Sequence, residues 1–180
     1  SLVSGVNTME VTNTGLFHVE ALTANGGPAA ATGIIVTGNG TGLPPAVDDP
    51  LTEDVNEADI FTFTNDGGDI VVRQSSDGGT SWQRGMAIDV DDAPNPSVIN
   101  LLGDGDIYGN IEIAGTDLIR VADGETSFDG IVNPACIPAG GPGDLVLDSA
   151  VPGEGANCGV RTLTIEEGGT LVLRHGANDG

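Results

Sequence analysis

From about residue 60 to the end, short apolar runs recur about 8–12 residues apart, separated by Gly, Asp and Asn. Within the runs the apolar positions alternate. Phe61 and Phe63 interleave with Thr62 and Thr64, Ile70 and Val72 follow the Asp66-Gly67-Gly68 turn, and Met86, Ile88 and Val90 alternate with Ala87, Asp89 and Asp91. A period of two places one side of each segment on a core and the other in water, which predicts strands. Ile99–Leu101, Ile111–Ile113, Leu118–Val121, Phe128–Val132, Leu145–Leu147, Leu163–Ile165 and Leu171–Leu173 continue the series. Nothing between them is long and amphipathic enough for a crossover helix, which excludes a βαβ fold. The spacing fits a sandwich, a barrel or a stack of coils.

Two segments a hundred residues apart share one cadence. Gly67-Gly68-Asp69-Ile70-Val71-Val72-Arg73 and Gly168-Gly169-Thr170-Leu171-Val172-Leu173-Arg174 each run from a glycine turn into a strand that ends on arginine. Recurrence of this kind suits an architecture in which each turn of chain stacks its strand on the previous one. Residues 1–59 are less regular. Leu16–Leu22 and Gly33–Thr37 read as strands, and the prolines of Leu43–Pro50 keep that stretch out of any central strand. Residues 38–59 read as one long loop. The expected division is therefore 1–59, N-terminal strands and a loop that would suit a cap, and 60–180, β-solenoid coils with a disulfide-tied loop at 133–158.

Composition adds three constraints. The 27 acidic residues face five basic ones, all arginine, for a net charge of −22. Such a chain repels phosphate backbones and anionic membrane, so nucleic acid is excluded as a partner. No run approaches the ~20 apolar residues of a membrane-spanning helix, and no membrane insertion of this segment is expected. Disorder is excluded because the aliphatic residues are abundant and patterned. One Trp, one Tyr and four Phe are few for an immunoglobulin-type sandwich, which leans on aromatic anchors. Aliphatic stacks fill a solenoid instead. Cys136 and Cys158 lie in Gly/Pro-rich sequence without a CxxC partner, so zinc is not expected. A disulfide is their natural pairing, stabilising by about 3 kcal/mol through loop closure and implying an oxidising compartment; two buried thiols are the alternative.

The stretch from Ile99 to Arg174 resembles the passenger region of bacterial autotransporters. Asn100–Asp106, Tyr108-Gly109-Asn110-Ile111-Glu112-Ile113, Phe128-Asp129-Gly130-Ile131-Val132-Asn133-Pro134 and Leu163–Leu171 carry the likeness. It covers under half the chain, and the two cysteines and the short length depart from the pattern. The resemblance implies an all-β fold, a right-handed parallel β-helix; a β-sandwich is the alternative that the strand spacing leaves open. It also implies a secreted or extracellular location on the outer surface of a Gram-negative bacterium. The start at Ser1, without methionine or a signal-like segment, reads as a processed chain or an internal piece of a longer one.

Candidate chemistry is thin. His18 stands on the polar phase of its strand beside Glu20, His175 lies near the C-terminus, and Gly-x-Ser-x-Gly is absent. No catalytic residue is assigned. Asp89, Asp91, Asp92, Asp104 and Asp106 place carboxylates at apparent turns, where calcium would be the one cofactor to fit, although Asp and Gly favour turns on conformational grounds alone. No EF-hand or nonapeptide calcium pattern is present, and a calcium-dependent lyase lacks the lysine such chemistry would use. Trp82, in a glycine-rich loop, and the nearby Arg84 are candidate partner contacts, Trp82 as a sugar-stacking surface or else the cap of a core. The reading that follows is a non-enzymatic structural or adhesive β-helix that displays binding loops and self-assembles. Its expected partners are copies of itself or a longer parent chain, and a host-surface or matrix glycan or protein. The alternative is a polysaccharide-binding or polysaccharide-degrading β-helix protein.

Overall fold

The alternating segments form parallel sheets. The computed structural model describes residues 9–24, 26–36, 61–93, 96–114, 117–134 and 162–174, and the strands within them are all-β with a single antiparallel pair. The first sheet has the order β1 (Met9–Asn13), β4 (Phe61–Asp66), β8 (Ser97–Leu102), β11 (Leu118–Ala122), β13 (Thr162–Ile165). The second runs β2 (Leu16–Leu22), β5 (Asp69–Ser75), β9 (Gly105–Tyr108), β12 (Gly124–Asp129), β14 (Gly169–Leu173), with the short β6 (Gln83–Arg84) antiparallel to β5. The third contains β3 (Thr32–Ile35), β7 (Met86–Asp89) and β10 (Asn110–Glu112). In chain order the described strands visit the first, second and third sheets in turn three times, and then the first and second twice more. Strands β1, β2 and β3, before residue 60, pair with β4, β5 and β7 and belong to the same sheets. A sandwich of hairpin-linked antiparallel layers is not the arrangement of these residues.

Register puts like beside like. In the first sheet Val11, Phe63, Ile99, Ile119 and Leu163 form one row across the five strands. In the second, Phe17, Ile70, Ile107, Phe128 and Leu173 do the same. In the third, Ile34, Ile88 and Ile111 are aligned, and Val132 continues the row through an isolated bridge. The middle members of these rows are buried and form one hydrophobic cluster. Each such side chain stabilises the fold by ~1.5–3 kcal/mol relative to exposure, so the rows explain why aliphatic residues suffice where aromatics are scarce.

The shared glycine cadence marks equivalent turns. Gly67, Gly103, Asp123 and Gly168 each adopt a positive φ, between 56° and 84°, where the chain passes from the first sheet to the second. Glycine meets this requirement without a Cβ penalty, and Asp tolerates it. The cadence does not give the register, however. Phe128 pairs with Leu173 and Ile107 with Ile70, so Arg174 falls two positions away from Arg73.

Other departures have local causes. Ala87 is buried and Met86 only half-buried, where β7 meets β10 across a register shift at Asn110–Ile111. Ile165 and Leu173 are exposed because no described strand lies beyond β13 and β14. Residues 38–59, nearly all of the 133–158 loop with Cys136 and Cys158, the Leu145–Leu147 strand and His175 lie outside the described residues.

Candidate functional site

Trp82 is brought onto the outward face of the second sheet by a tightly bonded loop. Asp77 organises it. Its Oδ1 accepts hydrogen bonds from the backbone N–H of Thr80 and of Ser81, both at 2.9 Å, and from Ser75 Oγ at 2.8 Å. Its Oδ2 accepts from Ser81 Oγ at 2.6 Å. These bonds, led by that of the Ser81 hydroxyl, hold the Asp77 carboxyl far below the usual carboxylate range. Gly79 N–H donates to Ser75 Oγ at 2.9 Å, and Gly78 N–H to the Thr23 carbonyl at 3.0 Å. The loop is thus pinned both internally and to the neighbouring segment, and Trp82 is set in place before any ligand arrives. Nothing in the alternating pattern signals this; the Asp-Gly-Gly-Thr-Ser turn chemistry is where it is written.

The floor beneath Trp82 is built from side chains far apart in sequence. On the outward face, Val71, Tyr108, Asp129 and Arg174 fall in one row across β5, β9, β12 and the end of β14: register gives the first three, and the Arg174 N–H bonded to the Phe128 carbonyl at 2.8 Å places the last. The parallel row contains Asp69, Asp106, Ser127 and Val172, with Asp106 N–H donating to Asp69 Oδ1 at 3.1 Å. Together Val71, Arg73, Trp82, Asp106, Tyr108 and Asp129 line much of a cleft of about 450 Å³, which also takes in Arg174. A second, more polar groove continues from it past Asp69, Asp104, Asp106, Glu125 and Arg174.

Charge in the cleft is distributed unevenly. The Arg73 guanidinium lies 4.3 Å from the Trp82 ring centroid, a cation–π stack, and its Nε donates to Glu20 Oε1 at 2.6 Å. That bond, foremost, lowers the Glu20 carboxyl below its ordinary value. His18 Nε2 sits 2.9 Å from the same Glu20 oxygen. Arg84 is placed differently from its neighbour Trp82. Its side chain is 5% exposed and ion-paired to Asp129, which is 28% exposed, and Nε donates to Asp129 Oδ1 at 2.9 Å. Its guanidinium carbon stands 5.9 Å from the Tyr108 ring centroid. Arg84 is therefore a buried strut that clamps β12 across Tyr108, while Trp82 faces the cleft.

The acidic candidates separate into two places. Asp104 is an exposed turn residue whose Oδ1 accepts from Glu125 N–H at 2.9 Å. Asp106, expected at a turn, is in β9, because pairing on both sides draws Gly105–Tyr108 into the sheet despite its turn-like composition. Asp89 ends β7, with Asp91 and Asp92 in the following turn. Burial, then the hydrogen bond to Asp91 and the negative charge of Asp91 and Asp92, push the Asp89 carboxyl up to about 6. Asp89 is also in register with the buried Glu112 of β10. Among the described residues, no group of three or more His, Cys, Asp or Glu side chains is arranged to hold a metal ion.

Compared with known proteins, the chain matches no family, no curated protein and no solved structure.

Proposed function

We propose that this chain is a segment of a right-handed parallel β-helix of the autotransporter-passenger type, exposed outside the cell, which works by binding a glycan rather than by catalysis. The observation that carries the reading is the Trp82 cleft. An indole held rigidly over an extended sheet face, with Tyr108 beside it and polar groups on either side, has the mixture of flat apolar surface and hydrogen-bonding groups that a sugar chain requires. The recurring visit to three parallel sheets supports the β-helix, since each coil adds one rung to the platform.

Binding is favoured over hydrolysis by the state of the carboxylates. Cleaving a glycosidic bond calls for two carboxyl groups flanking it. Of the two lining the Trp82 cleft, Asp106 and Asp129, the second is committed to Arg84. The test is a calorimetric screen of neutral and acidic oligosaccharides against the chain and Trp82→Ala. A central aromatic anchor predicts at least ~30-fold weaker binding in the variant, with its circular dichroism preserved. Silence across the panel, or equal affinity of the two proteins, refutes the glycan reading.

Self-association is a second reading, favoured by the ends of the sheets. Met9, Leu16 and Ile35 are exposed on β1, β2 and β3, and Ile165 and Leu173 on β13 and β14. Among the described residues these strands pair on one side only, and head-to-tail docking of one end on the other would continue the ladders. Light scattering over serial dilution decides it; a mass that stays monomeric removes the idea.

A further inference from the structure

We infer that the cleft selects an oligosaccharide carrying an isolated carboxylate, of the uronic-acid type, and that Arg174 is the group that recognises it. The inference rests on the glycan reading above and names its ligand class.

The argument begins with scarcity. With five arginines among 27 acids, a guanidinium without a carboxylate partner is unexpected in this chain. Three of the described arginines conform. Arg73 is bonded to Glu20, Arg84 to Asp129, and Arg120 to Glu166 through two hydrogen bonds of 2.5 and 2.7 Å. Among the described arginines Arg174 alone makes no ion pair or hydrogen bond through its side chain with a described residue. It stands in the outward row beside Asp129 and lines both the Trp82 cleft and the acidic groove. Its position at their junction is where an incoming ligand would pass.

The guanidinium fork matches a planar carboxylate with two parallel N–H···O bonds, which an ammonium cannot do. Three strand spacings separate the β5 end of the row from Arg174, about 14 Å. A ligand that contacts both Trp82 and Arg174 spans the cleft that the two residues line together. The acids of the adjoining groove, Asp69, Asp104, Asp106 and Glu125, oppose negative charge, and Arg174 is the one basic residue among the described residues that line it. A chain charged at every sugar would meet these acids and the net charge of −22 as well. One carboxylate is favoured; a polyuronate is not.

Calorimetry with three length-matched oligosaccharides tests this: one neutral, one with a single uronate, and the latter with its carboxyl reduced to the alcohol. The single-uronate ligand is expected to bind the natural chain about 10-fold tighter than its reduced form, the scale of one charge-assisted bond. The preference should shrink with added salt. In Arg174→Gln the ratio should fall towards one, with Arg174→Lys between. Equal binding of the uronate and its reduced form, or a ratio untouched in Arg174→Gln, overturns the inference while the glycan reading stands. Binding of none of the three ligands overturns both.

Discussion

Replacing Ile99 by alanine should cost far more than the same change at Ile165, though both were read from the sequence as inward residues of equivalent strands. Ile99 is fully buried at 0% exposure in the middle of the first sheet, flanked in register by Phe63 and Ile119. The substitution removes about three buried carbons at about 0.8 kcal/mol each. The cavity left between two fixed neighbours adds about 1 kcal/mol, giving about 3–4 kcal/mol in total. Ile165 is 52% exposed on the last strand of that sheet, so its truncation should cost about 1 kcal/mol. Ile99→Val, which deletes a single carbon, should also cost about 1 kcal/mol and guards against a variant too unstable to measure. Urea denaturation followed by circular dichroism reads all three. Costs for Ile99→Ala and Ile165→Ala within about 0.5 kcal/mol of each other would refute the central placement of Ile99 and the edge placement of Ile165, because they would put the two positions in the same environment.

Three further outcomes are expected. The Asp89 carboxyl, raised to about 6 from 3.8, favours the protonated form in the fold, so its stabilising contribution is full below the ordinary value and is lost as pH rises through about 6. That shift bounds the effect at ~3 kcal/mol, and solvent screening of a part-exposed group reduces it to about 1 kcal/mol; Asp89→Asn should raise the pH 7 melting temperature and flatten its rise between pH 7 and pH 5, and matching slopes in the two proteins would contradict this. Arg84→Ala leaves the part-buried Asp129 carboxylate without its clamp and should cost about 3 kcal/mol by chemical denaturation, against under 1 kcal/mol if the pair behaved as a surface one. Gly130→Ala would drive its Cβ into the Gly109 carbonyl oxygen and to 2.9 Å from Phe128 Cε2, so the β10–β12 region must shift, and a melting temperature equal to that of the natural chain would show that the two backbones do not approach closely there.

What the sequence discloses divides along physical lines. Strict alternation reports burial, so Phe61, Phe63, Ile70 and Val72 could be read as inward residues, and they are. Turn chemistry reports backbone conformation, so the Gly-Gly cadence could be read as a turn into a strand, and Gly67 and Gly168 do take positive φ there. Neither reports pairing. Met9–Asn13 has a weak pattern and is a strand because β4 lies beside it in register; Gly105–Tyr108 looks like a turn and is a strand because β5 and β12 flank it. The cleft was out of reach for the same reason. Tyr108, Asp129 and Arg174 become neighbours only through register, and the similarity of the two Gly-Gly segments pointed to Arg73 as the counterpart of Arg174, two positions off. Trp82 could be singled out as an aromatic in a glycine-rich loop; that Arg84 beside it is a buried strut depended on Asp129, 45 residues away.

The pairing itself is open to direct measurement by nuclear Overhauser spectroscopy on isotope-labelled protein. Thr62, Val98, Leu118 and Thr162 are in register across four parallel strands, and the account predicts interstrand effects between β4 and β8, β8 and β11, and β11 and β13 in that order. Strong Hα–Hα effects linking β4 to β5, or β8 to β9, as in antiparallel hairpins, would contradict it.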